Sequence, residues 1–513
     1  MTLPYLLNRR SVLVGAAATA GALALPRGAQ AQSRDQLRFG LYTYPSNFAP
    51  WLYFGVAAEC VKQQSFRGLL SYDSQGNLRP EVAESWEQEG PSSFVFRLRP
   101  NAVFHNGDPV TADEVKHSFE QIANPDNKAV LSAAFAAIEA IEVLDTHTLR
   151  IRLPEPNAAF LGLLASYDSP IVSKRSLEEN PEEPVGCGPY VVTQKERGAW
   201  IELEAFDRFY REGHPRTRRL RFVAYPDDNA RVAALMSGDV DIIDYVPALS
   251  MAAIREAGNT ELSAVDGPAM MVMFNCKEGP FVDPRVRQAV AYAIDRDALV
   301  SGAFAGEATK SGPLPVSRSS EFYDSSIENH FERNLEKAKA LLAEAGHASG
   351  LKVSFLAFTQ AAHKDSAIII QQNLKEIGID AEVSLPDWPT RVKLGAAGQY
   401  HMTVYATVFD SNDPSALSSL LSSTLGDSVS RPFGYKNDDM DRLLDLAMKE
   451  TDVEKRKKIV AEIGQVHVGD PAIISYVFRR QAYGLGENVE GFQNLPGFLT
   501  FQSGISIEEV VLR

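Results

Sequence analysis

Residues 281–296 read FVDPRVRQAVAYAIDR and carry a helix start followed by one apolar face. Asp283 is a residue type that caps helices, and Pro284 follows at the first helical position, where the missing N–H costs no hydrogen bond. The apolar residues after it recur at helical spacing: Val286, Val290, Ala293 and Ile294. The stretch therefore predicts a helix that begins at Pro284 and buries one side.

Upstream, two strand patterns enclose a second helix start. Residues 94–99 and 149–153 alternate apolar with basic side chains, which is the period of a half-buried strand. Between them, Thr111 and Glu114 have the spacing of a capping box. Valines occupy the staple positions on either side: Val110 and Val115. We expect a strand, a helix and a strand here.

Downstream, Asn334 predicts the start of another helix and Gly346 its end. Its apolar stripe consists of Leu335, Ala338, Leu341, Leu342 and Ala345. Residues 368–377 and 440–448 are similar amphipathic segments. Because helix and strand patterns follow one another irregularly and no internal repeat is present, we expect a continuous body of mixed α+β and α/β class.

Composition restricts the possible functions. The 513 residues are 45% hydrophobic and 23% charged, as in globular proteins, and the length suggests two to four lobes. The net charge of −15 disfavours binding to nucleic acid, because phosphate backbones would be repelled. Three cysteines cannot form a disulfide framework, and at most one bridge could join two of Cys60, Cys187 and Cys276.

The N-terminus has the pattern of an export signal. Arg9 and Arg10 precede the apolar run Val12–Leu25, which is shorter than a membrane-spanning helix, and residues 29–31 form a small-x-small cleavage site. We interpret residues 1–31 as a signal peptide of the twin-arginine route; the alternative is a cytoplasmic chain with an unusual N-terminus. No cysteine follows the cleavage site, so we expect a soluble periplasmic protein without a lipid anchor.

Motifs for catalysis are absent from the sequence. It contains no G-x-S-x-G, H-E-x-x-H, C-x-x-C, G-x-G-x-x-G or P-loop lysine motif. The nine histidines are scattered, and none forms an i,i+4 pair that could hold a metal on a helix. We therefore expect no enzyme activity, no cofactor and no metal site.

Six stretches, in order along the chain, resemble the family 5 solute-binding proteins of ABC transporters, the dipeptide, oligopeptide and nickel-binding group. They are GLLSYD at 68–73, AESW at 83–86, FVFRLRPNAVFHNG at 94–107, VGCGPY at 185–190, SGDVD at 237–241 and the opening stretch at 281–296. Cys187 stands where threonine is usual in that family.

The resemblance implies a fold and its division. It implies a two-lobed periplasmic binding protein of type II, of the large cluster C kind, whose lobes are hinged around a ligand cleft. Lobe 1 would comprise residues 32–270 with a third subdomain inserted at about 72–184. Lobe 2 would comprise residues 271–480, and residues 481–513 would return to lobe 1. The hinge strands would lie near 271–276 and 476–483.

The resemblance also implies ligand contacts after a strand of the second lobe. Peptide-binding members carry W-x-x-D-x-x-D/E-P, and residues 407–414 here read TVFDSNDP. Asp410 would thus hold a ligand's α-amine, since a desolvated ammonium needs a charge-assisted acceptor. The alternative is that Asp410 only organises its loop. Thr407 replaces the tryptophan, and Phe409 or Tyr405 would either compensate for it or belong to the core.

Aromatic residues elsewhere are further candidates for the cleft. Tyr42 and Tyr44 occupy the family's loop at the cleft mouth, and Trp388 is expected in a loop after a strand at 381–385. Aromatic rings cover apolar ligand surfaces at little entropic cost, although ordinary packing is the alternative for each. Arg391 could meet an anionic group, but we expect it to be a solvated arginine.

The function implied is that of the periplasmic solute-binding component of an ABC importer. It would act as a monomer, close on a small ligand and deliver it to a separate permease and ATPase after passage through the export machinery. A peptide or an amino-bearing, peptide-like solute is expected; the alternatives are an opine, an oligosaccharide, nickel or haem. Alternatives from a different functional class, on the same fold, are an exported enzyme and a chaperone or sensor.

Overall fold

The structure is a computed structural model, and its described residues are 35–45, 47–52, 55–407, 409 and 411–513. The predicted signal peptide at 1–31 and the predicted amine anchor Asp410 lie outside these residues.

The helices and strands follow one another irregularly, as the sequence predicts. The strands are β1 Gln36–Leu41, β2 Leu70–Tyr72, β3 Leu78–Pro80, β4 Ala83–Gln88, β5 Ser93–Leu98, β6 Ala140–Asp145, β7 Thr148–Arg152, β8 Tyr190–Glu196, β9 Trp200–Ala205, β10 Arg219–Ala224, β11 Ile242–Ile243, β12 Thr260–Phe274, β13 Ala308–Lys310, β14 Leu351–Leu356, β15 Ile379–Ser384, β16 Met402–Thr407, β17 Ile473–Gly486, β18 Val489–Glu490 and β19 Val511–Leu512. The α-helices are α1 Val56–Ser65, α2 Ala112–Ala123, α3 Ser132–Ala136, α4 Phe160–Leu163, α5 Lys174–Glu179, α6 Asp228–Met236, α7 Ala248–Glu256, α8 Pro284–Ala293, α9 Arg296–Phe304, α10 Leu335–Glu344, α11 Ala361–Lys375, α12 Trp388–Ala396, α13 Ser418–Leu421, α14 Asp438–Lys449 and α15 Val453–Gly469. Short 3₁₀ helices comprise Pro125–Asn127, Pro280–Val282, Ser325–Ile327, Pro414–Leu417 and Ser423–Leu425, and a longer one comprises Gly497–Glu509.

The predicted helix starts are confirmed by their capping hydrogen bonds. At the start of α2, Thr111 accepts a bond from the backbone N–H of Glu114 at 3.4 Å. Asp283 caps α8, with Pro284 at its first position, and Asn334 caps α10. Each side chain satisfies a backbone donor that has no partner within its own helix.

The largest sheet of the described residues has eleven strands. Their order is β15-β14-β16-β12-β17-β11-β1-β10-β9-β8, and β13 pairs with β17 off this path. The central pair β12 and β17 is antiparallel from Thr260 opposite Gly486 to Met273 opposite Ile473, with a shift in register between Asp266 and Ala269. These two long strands therefore run through both halves of the sheet.

A second sheet has the order β4-β5-β7-β6. The two predicted strands pair within it, with Phe94 opposite Ile151 and Phe96 opposite Leu149. All four side chains are buried in one apolar core that also contains the α2 residue Phe119. The sheet lies within the region 72–184, where the sequence predicts an inserted subdomain, and the bounds of that subdomain stay a prediction.

The apolar core changes along β12 and β17. Met270 and Val477 belong to a core with α8 and α11, and Phe478 belongs to the core on the opposite face of the same half of the sheet. Ala482 and Tyr483, only a few residues further on, belong to cores built around β11 and β1. Because buried apolar area is the main favourable term in folding, each half of the sheet has its own source of stability.

A buried ionic network joins the start of β4 to the end of the chain. Arg67, after α1, donates to Glu508 at 3.0 Å and lies 3.6 Å from Glu81, and all three side chains are almost fully buried. Burial alone would raise the pKa of Glu81, but the guanidinium groups of Arg211, Arg67 and Arg79 lower it to about 2. A buried carboxylate is tolerated here because several cations pair with it.

The three cysteines are free thiols; Cys60 and Cys187 are buried and Cys276 is half-buried. The structure thus leaves none of them bridged. Within the described residues, no helix combines the length and apolar character needed to cross a bilayer. The same residues contain no group of three or more His, Cys, Asp or Glu side chains arranged to hold a metal ion.

Candidate functional site

Arg391 is the centre of an aromatic and cationic cluster on the second half of the sheet. It lies in the second turn of α12, and its side chain is only 1% exposed. Its guanidinium carbon is 5.6 Å from the ring centre of Trp388 and 5.3 Å from that of Tyr405 on β16. The expectation of a solvated arginine is therefore wrong, because this face of α12 packs against β16.

The hydrogen bonds of Arg391 are incomplete. Its Nη2 donates to the backbone oxygen of Val404 at 3.2 Å and to the hydroxyl of Thr403 at 3.4 Å. Its Nε and Nη1 have no acceptor among the described residues. Burial lowers the pKa of Arg391, and the groups that oppose this shift are the hydroxyls of Tyr405 and Tyr400 rather than carboxylates. A buried cation is thus left without a counter-charge among the described residues.

His363, in the first turn of α11, belongs to the same cluster. Phe358, which follows β14, packs on Trp388 with ring centres 5.1 Å apart and on His363 with ring centres 4.3 Å apart. His363 is 8% exposed, and its Nδ1 has no partner among the described residues. Burial, followed by the positive charges of Arg479 and Arg391, lowers the pKa of His363 to about 3.

A second group of rings lies on the other half of the sheet. Tyr42 follows β1, and its ring centre is 4.6 Å from that of Tyr245. Arg479 of β17 lies 5.2 Å from the ring centre of Tyr245 and donates from Nη2 to its hydroxyl at 3.2 Å. Tyr245 has a φ of +48°, a strained conformation for a side-chain-bearing residue, and such strain is concentrated at functional sites. Arg479 thus contacts this second group, and its charge also contributes to the low pKa of His363 in the first group.

Asp244 is a buried carboxyl group that holds the backbone of this second group in place. Its Oδ1 accepts a hydrogen bond from the backbone N–H of Tyr42 at 2.7 Å, and the side chain is 3% exposed. Burial raises the pKa of Asp244 to about 7, although the nearby guanidinium of Arg231 opposes the shift. The carboxyl group thus fixes the backbone that carries Tyr42.

A small cavity lies beside Phe409. It has a volume of about 180 Å³, and its walls include Phe409, Asn412, Phe498 and Ser319. Phe409 is buried, and its ring meets that of Phe498 edge to face with centres 4.6 Å apart. Phe409 is thus part of an apolar core that closes one side of the cavity.

The structure separates some of the predicted ligand residues. Thr407 is 3% exposed and stands opposite Ala269 in the sheet. Tyr44 is half-buried; burial raises the pKa of its hydroxyl, and the charges that oppose this come from Lys195 and Arg197. Neither residue has a ring or charge contact with the Arg391 cluster within the part of the chain that the structure describes. Their role in ligand binding stays a prediction.

Trp388 lies in a different secondary-structure element from the one expected. It is not in a loop: Asp387 accepts a hydrogen bond from the N–H of Thr390 and caps α12, so that Trp388 is its first residue. Proline follows at position 389, which is compatible with the first helical turn. The ring is 51% exposed and forms the outer wall of the cluster around Arg391.

Sequence reasoning missed four residues of the two ring groups: Phe358, His363, Tyr245 and Arg479. Arg479 had a usable signal, because a basic residue directly follows the apolar strand Ile473–Phe478. His363 had none, since a single histidine in a helix carries no spacing pattern. Tyr245 is distinguished by its backbone conformation, which is visible only in three dimensions.

Comparison with known proteins agrees with this architecture. A family model described as bacterial extracellular solute-binding proteins, family 5, matches residues 77–428. The glutathione-binding protein GsiB of Pectobacterium atrosepticum is 29% identical over 343 residues, which cover 64% of this chain and 65% of that protein.

Two solved structures extend the comparison over nearly the whole chain. The PBP AgaA from A. tumefacien R10, in complex with agropinic acid, is 36% identical with a TM-score of 0.83, covering 93% of this chain and 99% of that one. The ABC transporter-associated periplasmic binding protein DppA of Helicobacter pylori, in complex with the peptide STSA, is 23% identical with a TM-score of 0.80, covering 93% and 98%.

The chain therefore belongs to family 5 of the bacterial extracellular solute-binding proteins. The expected fold class, a two-lobed periplasmic binding protein of type II with mixed sheets, is confirmed. The relatives are solute-binding proteins of transport systems, as the sequence motifs indicated.

Proposed function

We propose that this chain is the periplasmic component of an ABC importer that captures a peptide-like or amino-bearing solute and delivers it to a membrane permease. The observation that carries the proposal is the pair of aromatic and cationic groups around Arg391 and Tyr245, with Arg479 in contact with Tyr245 and its charge acting on His363 of the other group. Rings and fixed hydrogen-bond donors are what a cleft for a small polar solute requires. The protein would act by binding, without catalysis.

Closure of two lobes is the proposed mechanism. Strands β12 and β17 are the candidates for the hinge, because they are the long connections between the halves and their register shifts at Asp266. Contacts far from the hinge would hold the closed state, such as the ion pair of Lys449 with Glu155 at 2.5 Å. We keep the proposed lobes at 32–270 and 271–480, with a return over 481–513.

The proposed ligand class is peptide-like. GsiB binds glutathione and DppA is solved with a peptide, which supports this class for the present chain. An opine is the second candidate, because AgaA, at 36% identity, is solved with agropinic acid. The loss of the family's tryptophan at Thr407 favours a solute that differs in shape from a plain peptide.

Asp410 is proposed as the acceptor for the solute's amine, on the motif at residues 407–414 alone. The cleft would further include Tyr42 and Trp388. We also propose export to the periplasm by the twin-arginine route, on the basis of Arg9 and Arg10.

Thermal unfolding against a panel of solutes tests the proposal. The panel holds di- to pentapeptides, glutathione, agropinic acid, oligosaccharides and nickel. A solute at 100 times its Kd should stabilise the folded state by about 2.7 kcal/mol, a readable rise in Tm. We expect a rise with an amine-bearing solute that Asp410→Ala removes and that Asp439→Ala, an exposed aspartate of α14, retains. A chain that responds to no member of the panel would contradict the proposal.

A further inference from the structure

The side chain of Arg391 is a buried cation whose charge is not paired with a carboxylate of the described residues. It is almost fully buried, and the described residues offer it two neutral acceptors on one nitrogen and none on the other two. Two other buried arginines have carboxylate partners: Arg67 has Glu508 and Arg231 has Asp228. Arg391 differs from them because its neighbours are the rings of Trp388 and Tyr405.

A second buried nitrogen in the same cluster also lacks a partner. The Nδ1 atom of His363 is unpaired among the described residues, and the side chain is more than nine-tenths buried. The charges of both Arg391 and Arg479 contribute to the low pKa of His363, so its ring lies within the positive field of both guanidinium groups. Arg391 has no carboxylate partner in the described part of the chain. An anion that binds there would therefore not have to displace one.

We propose that the unpaired N–H groups of Arg391 bind a carboxylate of the captured solute. The aromatic faces of Trp388 and Tyr405 would cover the solute atoms next to that carboxylate, and the half-exposed Trp388 would be the side from which it enters. Arg391 is the residue type suited to this role, because a guanidinium stays charged when buried and presents several donors in one plane. The inference rests on the proposed function and narrows its ligand class to solutes that carry a free acid.

Matched acid and neutral probes test the inference on the full chain. The pairs are Met-Leu with Met-Leu amide, glutathione with its diethyl ester, and agropinic acid with its methyl ester, each titrated by calorimetry. The wild-type protein should bind the acid of a pair about 10- to 100-fold more tightly than its neutral partner, the factor that one charge-assisted hydrogen bond supplies.

Two variants test whether the preference for the acid comes from the side chain of Arg391. Arg391→Met should bind the acid and the neutral probe of a pair about equally. Lys393→Gln removes the same charge from an exposed position of α12 and should keep the preference.

The outcomes separate the two proposals. Equal binding of acid and neutral probes by the wild type, or an unchanged preference in Arg391→Met, would overturn the carboxylate site and leave solute capture standing. Because the acid and ester comparison uses the wild type, this result does not depend on how well the variant folds. If no probe of either kind binds, capture of this solute class fails, and the carboxylate site fails with it.

Discussion

The side-chain oxygen of Asn412 accepts a hydrogen bond from the backbone N–H of Phe498 at 2.9 Å, across 86 positions of sequence. The side-chain amide of Asn412 also donates to the backbone oxygen of Pro496 at 3.0 Å. One asparagine thus joins the loop after β16 to the 3₁₀ segment after β17. Gly497, between Pro496 and Phe498, has a φ of +62°, and a Cβ there would clash with Asn412, so glycine is required at this point.

Replacing Asn412 should weaken the closed state. We expect Asn412→Ala to lower the affinity for a bound solute several-fold, because the closed form loses two hydrogen bonds that an open form does not need. Isothermal titration with the strongest panel solute measures the effect. Ser319→Ala, on another wall of the same cavity, is the control and should leave affinity unchanged. Equal affinities of the Asn412 variant and the wild type would show that this contact has no part in closure.

The buried network around Glu81 should matter more for stability than a surface pair. Glu81→Gln leaves Arg67 and its neighbours with one carboxylate fewer, and breaking a buried pair costs about 3–5 kcal/mol. Urea unfolding of this variant should show a markedly lower midpoint. Glu142→Gln, in the partly exposed pair with Arg150, should unfold near the wild-type midpoint. A similar small change in both variants would contradict the structural role of the network.

Buried histidines predict a loss of stability in mild acid. Burial lowers the pKa of His105 to about 4, although its Nε2 lies 3.0 Å from the backbone oxygen of Gly188. An unfolded histidine has a pKa of about 6.5, so between these values the unfolded state binds a proton that the folded state does not. The free energy of unfolding should therefore fall as the pH falls from 6.5 to 4.

The variant His105→Gln isolates that contribution. Its free energy of unfolding should depend less steeply on pH over the same window, because one of the groups that bind protons on unfolding is gone. Denaturant titrations at pH 7 and pH 4.5 provide the comparison. His347, which is only partly buried in the turn after α10, supplies the control variant His347→Gln, expected to keep the wild-type slope. Identical slopes in all three proteins would refute a neutral His105 in the folded state.

The thiols should be unreactive in the folded protein. Burial raises the pKa of Cys187 to about 12 and that of Cys276 to about 11, and Cys60 is shifted upward as well. The thiolate is the reactive form, so little of it is present at pH 8. A colorimetric thiol reagent should label the native chain slowly and label all three cysteines after unfolding. Rapid labelling of the native protein would indicate an exposed or activated thiol.

Local patterns predicted the framework well because their causes are local. Thr111, Asp283 and Asn334 each cap a helix through a hydrogen bond that spans only a few residues. The strands at Phe94 and Ile151 followed from side-chain alternation, and the family motifs gave the two-lobed fold.

The cleft was harder to predict because its members come from distant parts of the chain. The burial of Arg391 depends on how α12 packs on β16, which no nearby residue encodes. Trp388 follows a strand and precedes a proline, a pattern shared by loops and by first helical turns, and the cap at Asp387 decides between them. The contact of Tyr245 with Arg479 joins residues 234 positions apart.

Small-angle X-ray scattering with and without a bound solute tests the central claim, capture by lobe closure, most directly. The probe is the panel solute that raises Tm most, at saturation, on the chain that begins at Gln32 after removal of the predicted signal peptide. We predict that the ligand-free protein has a radius of gyration larger than the value calculated from residues 35–513 of this structure, and that the solute lowers it to that value. A radius that does not change when a saturating solute binds would contradict closure as the mechanism.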